Sequence, residues 1–211
     1  MKKLDLRKEL RHLYNPPAND VVLVKIPTFN FLMIDGAGDP NTSKEFQNAI
    51  QALFTLSYTL KFMVKKEKKI DYPVMALEGL WWSEDMNAFI LSQKDRWKWT
   101  VMMMQPKIVT KSMVKKAVKA VQAKKEVPAV AGVRYESFAE GFVAQSMHIG
   151  PFSAEGPTIR KVHTFAKERG YELSGKHHEI YLSDMRRVGP EKMKTVIRQP
   201  VRKVNPREAR D

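Results

Sequence analysis

Apolar positions along the chain follow two periods, one suited to strands and one to helices, and the two alternate in the same order twice. In the first half, the β-branched and aromatic stretch 21–34 reads as extended and ends in the turn Asp35-Gly36-Ala37-Gly38-Asp39-Pro40. Asn41-Thr42-Ser43-Lys44-Glu45 then places capping residues ahead of Phe46, Ile50, Leu53, Phe54, Leu60 and Val64, a stripe at helical spacing that predicts a long helix. Two strand-like runs follow, 72–82 and 96–105. Polar Ser83-Glu84-Asp85-Met86-Asn87 separates them, and Gln105-Pro106 closes the second.

The second half repeats these signals. An extended stretch over 132–148 ends at Ile149-Gly150-Pro151, a helix is expected over 154–169 with Gly170 as its stop, and strands over 172–182 and 192–198 close at Gln199-Pro200. Between the halves, 110–125 reads as a basic amphipathic connector helix with Val114, Ala117, Val118 and Val121 inward. A single helix covers only one face of each unit's sheet. The expected fold is therefore α+β: a tandem pseudo-twofold repeat of two strand-helix-strand-strand modules, about 20–106 and 132–201, forming a shared ligand cleft within one domain spanning 1–211.

Composition narrows the class. With 211 residues, 43% hydrophobic and 28% charged, the chain is neither low-complexity nor disordered in character. No apolar run approaches the ~18 residues of a spanning helix, and the charged start argues against a secretory signal, so a cytoplasmic protein without membrane contact is expected. The absence of cysteine removes disulfides, thiolate nucleophiles and cysteine-ligated metal sites. A net charge of +14 attracts nucleic acid non-specifically, through lysine- and arginine-rich runs at 61–69, 107–125 and 186–203, but no helix-turn-helix, ribonucleoprotein or finger motif accompanies it.

Candidate chemistry concentrates on the third element of each half. Laying 77–82 over 178–183 superposes Glu78 on Glu179; strand alternation then puts Glu78 and Trp82 on one face, and His177, Glu179 and Tyr181 on the equivalent face of the other module. A glutamate inside an apolar strand calls for a partner or a role. All four tryptophans, Trp81, Trp82, Trp97 and Trp99, fall in one predicted hairpin and suit a flat aromatic or cationic ligand. Four of the five histidines, including His148, His163 and His177, lie in the second half, but their spacing matches no metal motif. The glycine turns match no phosphate loop, and no Gly-x-Ser-x-Gly elbow is present. No metal and no cofactor are expected.

The segments Ile34-Asp35-Gly36-Ala37-Gly38-Asp39-Pro40-Asn41, Ser57-Tyr58-Thr59-Leu60-Lys61-Phe62, Leu77-Glu78-Gly79-Leu80-Trp81-Trp82, Met147-His148-Ile149-Gly150-Pro151 and His177-His178-Glu179-Ile180-Tyr181-Leu182-Ser183-Asp184 together resemble the GyrI-like small-molecule-binding family over nearly the whole chain. The resemblance implies paired modules around a pseudo-dyad. For stand-alone members it implies a hydrolase that opens the cyclopropane of DNA-alkylating natural products such as yatakemycin and the duocarmycins. On that reading Glu179 is the base that activates water, Tyr58 or Tyr181 supplies the partner hydroxyl, and burial raises the Glu179 pKa. Glu78, the tryptophans, His148 and His177 are expected to line the ligand site. The alternatives are a module that sequesters aromatic or cationic drugs without turnover, and a nucleic-acid- or gyrase-associated factor. A monomer or weak dimer is expected.

Overall fold

Two residues that strands tolerate poorly break the long extended stretches. Pro27 offers no N–H to a ladder, and Gly141 adopts φ +81°, so each predicted strand becomes two. The computed structural model describes residues 1–84, 93–124, 126–184 and 187–204; Asp85, Met86 and Asn87 of the predicted linker, and Lys125 and Arg186 of the basic runs, lie outside them.

In chain order the first half contains β1 (Lys2–Lys3), α1 (Leu6–Glu9), α2 (Arg11–Tyr14), β2 (Val22–Ile26), β3 (Phe29–Ala37), α3 (Lys44–Lys68), β4 (Ile70–Asp71), β5 (Leu77–Trp82) and β6 (Lys98–Gln105). There follow α4 (Lys111–Gln122), β7 (Arg134–Phe138), β8 (Gly141–Ile149), α5 (Gly156–Glu168), β9 (Tyr171–Leu173), β10 (His177–Tyr181) and β11 (Lys194–Lys203). The protein is thus a mixed helix and antiparallel-sheet structure, as the patterning indicated. Among the described residues no helix is long and apolar enough to cross a membrane.

The chain divides into two compact units: 1–10 with 29–138, and 11–28 with 139–211. In the first, four antiparallel strands lie in the order β5-β6-β3-β7, and α3 covers one face. Ser43 caps α3 by accepting the Phe46 amide at 3.2 Å, and Ala49, Leu53, Leu56, Leu60 and Val64 form its buried stripe. Each large apolar side chain so buried contributes roughly 1.5–3 kcal/mol. Phe54, read as inward from the sequence, points out instead, because Leu56 and Ser57 take the sheet-facing arc. The connector helix forms as α4, capped by Thr110, with Met113, Val114, Ala117 and Val121 buried.

In the second unit the order is β2-β8-β11-β10, again antiparallel, and β9 pairs with the far end of β11. Val162 and Ala166 of α5 pack on Ala144, Ile197, Val201 and Val21. Helix α5 starts at Gly156, two residues later than its apolar pattern predicts, because 152–154 form a 3-10 turn; it ends before Gly170, whose φ of +75° terminates it. Pro200 does not close β11. The strand runs on to Lys203 because Pro200 needs no donor there: its carbonyl accepts the Ser174 amide at 2.9 Å, and β9 takes over the pairing from Val201. Each unit therefore contains strand, helix, strand and strand. Each sheet also takes its edge strand from the opposite half of the chain, β7 beside β3 and β2 beside β8.

In the first unit the indole of Trp99 lies directly over Gly36, its cross-strand neighbour, and a Cβ built at Gly36 would stand 2.2 Å from the ring. The ring is sealed on its other side by Phe46, edge-on at 5.1 Å. Gly36→Ala is expected to destabilise the protein by about 1–3 kcal/mol through overpacking. That cost should largely disappear when Trp99 is replaced by leucine, and a urea-unfolding double-mutant cycle measures this coupling.

Candidate functional site

Side chains alternate along a strand, so His177, Glu179 and Tyr181 of β10 share one face. The face is the one covered by α5, because Glu179 stands opposite Ile197, which packs on Val162 and Ala166. The Tyr181 hydroxyl donates to Glu179 Oε2 at 2.7 Å, and His177 Nε2 lies 3.2 Å from Oε1. An ionised carboxylate only accepts, so His177 Nε2 carries the hydrogen in this pair. Phe152 meets the Tyr181 ring edge-on at 5.5 Å, and the Glu179 side chain remains 16% exposed. On α5, His163 has its Nε2 buried without a hydrogen-bond partner among the described residues, and burial together with the nearby His177 lowers its pKa.

The expected rise in the Glu179 pKa is not found; the carboxyl is held below the ordinary carboxylate range. Burial pushes it up, but the hydrogen bond and charge of His177, the Tyr181 hydroxyl and the charge of His178 together outweigh that push. The side chain is therefore an ionised acceptor at neutral pH. Each oxygen already holds one donor, and the carboxylate has about four lone-pair sites, so it retains capacity for a water or a cationic ligand.

The opposite face of the same strand carries a buried network that the sequence reading missed. His178 Nδ1 lies 2.8 Å from Glu140 Oε1, and Arg198 reaches Glu140 Oε2 at 3.1 Å, Gln145 Oε1 at 2.9 Å and the Leu13 carbonyl at 2.8 Å. Burial raises the Glu140 pKa, but His178 and Arg198 more than reverse this and leave it lowered. The signal was present: Arg198 is a charge inside the apolar strand Val196-Ile197-Arg198, the same anomaly that singled out Glu179.

The strand registers overturn the overlay of Glu78 on Glu179. Matching Gly38 to Gly150 puts Gly36 at the position of His148, and the ladders Gly36–Trp99–Trp81 and His148–Thr195–Tyr181 then place Trp81 at Tyr181 and Glu78 at His178. Trp81 packs on Phe46 of α3 at 5.7 Å, so Glu78, three residues earlier, is on the face turned from α3, whereas Glu179 is on the face turned toward α5. A slip of one residue exchanges the faces of a strand. Glu78 is fully buried, and Trp82 shares its side of the sheet.

The other three tryptophans gather on the α3 side: Trp81 and Trp99 around Phe46, and Trp97 5.9 Å from Trp81. His148 is engaged by the following turn and by α5, with Nε2 3.2 Å from the Pro151 carbonyl and Nδ1 3.0 Å from the Thr158 hydroxyl. Tyr58 lies on α3 in the first unit, 49% exposed, between Phe54 at 36% and Phe62 at 59%. The i, i+4, i+8 spacing makes these three a continuous aromatic stripe on the helix surface. Among the described residues no three His, Asp or Glu side chains are grouped to hold a metal ion.

Because Glu140 and Glu179 have folded-state pKa values below their unfolded ones, their contribution to stability is complete above the ordinary carboxylate pKa of about 4.3. It is lost as pH falls through the depressed values. Glu140→Gln is expected to cost about 3–5 kcal/mol near neutrality, by leaving Arg198 without its buried counter-charge. It should also flatten the acid loss of stability relative to wild type, as read from urea midpoints across an acid pH series.

Residues 19–202 match the family described as GyrI-like small molecule binding domain. Among solved structures, an uncharacterized conserved protein from Listeria innocua is 40% identical, with a TM-score of 0.87 over 94% of this chain and 100% of its own. Two structures of Listeria innocua proteins described as hydrolases are 37% and 39% identical, with TM-scores of 0.82 and 0.85 over 94% and 95% of this chain and 100% of theirs. The EcmrR C-terminal domain shares the fold at 11% identity, with a TM-score of 0.54 over 88% of this chain and 98% of its own. No curated protein matches the chain.

Proposed function

The chain belongs to the GyrI-like small-molecule-binding family, and from that premise we propose that it is a hydrolase of cyclopropanoid genotoxins of the yatakemycin and duocarmycin type, with Glu179 as the base. The observation that carries this reading is the ionised Glu179 carboxylate, held by Tyr181 and His177 on a face flanked by the Phe152 and Tyr181 rings. The description of two Listeria relatives as hydrolases also supports it.

In the proposed reaction a water oxygen attacks the cyclopropane methylene while Glu179 takes its proton. The breaking carbon–carbon bond delivers its electron pair into the conjugated dienone, which becomes an aromatic phenolate, and a proton returning to that oxygen yields the neutral phenol. Ring strain and aromatisation drive the step, so positioning and general-base help of ~10²–10⁴ in rate are what the protein supplies. Tyr181 fits the partner hydroxyl better than Tyr58 because it already orients the base at 2.7 Å. The lowered Glu179 pKa makes the carboxylate a weak but permanently available base near neutrality.

A second reading, sequestration of an aromatic or cationic drug, is favoured by the exposed stripe Phe54, Tyr58 and Phe62 and by the charge of Glu179. Incubation with excess duocarmycin separates the two, since catalytic loss of the alkylator marks turnover and stoichiometric protection marks sequestration. Glu179→Gln is expected to keep ligand binding and to lower turnover by ~10²–10⁴. Normal turnover in that variant overturns the base assignment.

A further inference from the structure

The lysines of 107–125 have no part in the site above, yet three of them frame a built surface. Lys111, Lys115 and Lys119 of α4 stand along a groove of about 500 Å³ whose apolar lining includes Val118 of the helix, Val133 just before β7, and Tyr135 within it. The Tyr135 hydroxyl donates to the Val109 carbonyl at 2.9 Å, which fixes the ring as a wall of the groove. Beside the groove runs the end of the first unit's sheet: β7 pairs with β3 on one side, and among the described residues no strand pairs with its other edge. In an antiparallel strand, alternate residues aim N–H and C=O away from the partner, so this edge offers main-chain donors and acceptors beside the groove. The nearby carboxylate of Glu136 is ion-paired to Arg134, which also holds Asp35, and so does not set a free negative charge against an acidic partner.

We propose that this groove docks an extended segment of a partner protein, added to β7 as a further strand, whose groove-facing residues, every second one along the segment, are in turn acidic and apolar. Main-chain hydrogen bonds to the β7 edge would supply the register, apolar side chains would fill the floor at Val118, Val133 and Tyr135, and acidic side chains would meet Lys111, Lys115 and Lys119. Charge decides the occupant. A second copy of this chain would set lysines against lysines on a molecule already carrying +14. Single-stranded nucleic acid binds on exposed stacking rings, and the groove's ring, Tyr135, is half-buried with its hydroxyl engaged.

The test uses the full chain and a short synthetic peptide in which glutamate and valine take turns at every second position with threonine between them, followed by fluorescence anisotropy and by hydrogen exchange of the β7 amides. Binding is expected with added protection in 134–138, and Lys111→Glu, Lys115→Glu and Lys119→Glu together should weaken it about tenfold or more. Equal binding of a lysine–valine peptide, or glutamate-peptide binding without protection in β7, overturns the proposal. Binding of a single-stranded oligonucleotide that outcompetes the peptide overturns it in favour of nucleic acid. A concentration-dependent dimer that occupies β7 overturns it in favour of self-association.

Discussion

The candidate site rests on one strand holding a charge. A repeat of two residues brings His177, Glu179 and Tyr181 to the same side of β10, so a single stretch of backbone supplies a carboxylate and both of its donors. Each donor is only two residues away, and small motions of neighbouring elements do not separate the three. The other side of the strand is anchored independently by His178, through Glu140 to Arg198. Arg198 in turn reaches β8 at Gln145 and α2 at the Leu13 carbonyl. The two faces of β10 thus have separate tasks, one kept partly open with an ionised acceptor and the other closed by a fully paired charge cluster.

Much of the fold was legible because it is locally encoded. The Ser43 cap, the amphipathic α4, the stop at Gly170 and the β10 face all follow from residues within a few positions of one another. Pro27 and Gly141 were readable as breaks, but the partners of the fragments they create were not. Pairing of β2 with β8 and of β7 with β3 joins residues about a hundred positions apart, and no local pattern specifies that choice. The candidate site was legible in part for the same reason. Alternation grouped His177, Glu179 and Tyr181 correctly, whereas the overlay with Glu78 depended on an offset that only the ladders reveal. The direction of the Glu179 pKa was missed because burial is visible in an apolar sequence context, while the geometry of two donors is not.

The tryptophans illustrate how composition misleads about location. Four indoles in one hairpin suggest a ligand wall, yet Trp81 and Trp99 are buried under α3, where Gly36 makes room for Trp99 and Phe46 joins the rings, and half-buried Trp97 stands against Trp81. Large rings are the most economical way to fill the space between a sheet and a long helix. Rings outside the core include Phe54, which the helical stripe placed inward, and Phe62 beside Tyr58. The basic runs divide similarly: Lys61 is held by Asp71 at 3.0 Å, whereas the lysines of α4 remain exposed along a groove.

The exchange of edge strands bears on how the polypeptide is made. A ribosome releases β3, α3, β5 and β6 well before Arg134–Phe138, so the nascent first unit has all its central strands while the flank of β3 still lacks its cover. The earlier β2 must likewise stay unpaired until β8 emerges. Neither sheet can finish as a vectorially formed block, and for that interval the growing chain exposes two strand edges of the kind that recruit chaperones or stray β-segments.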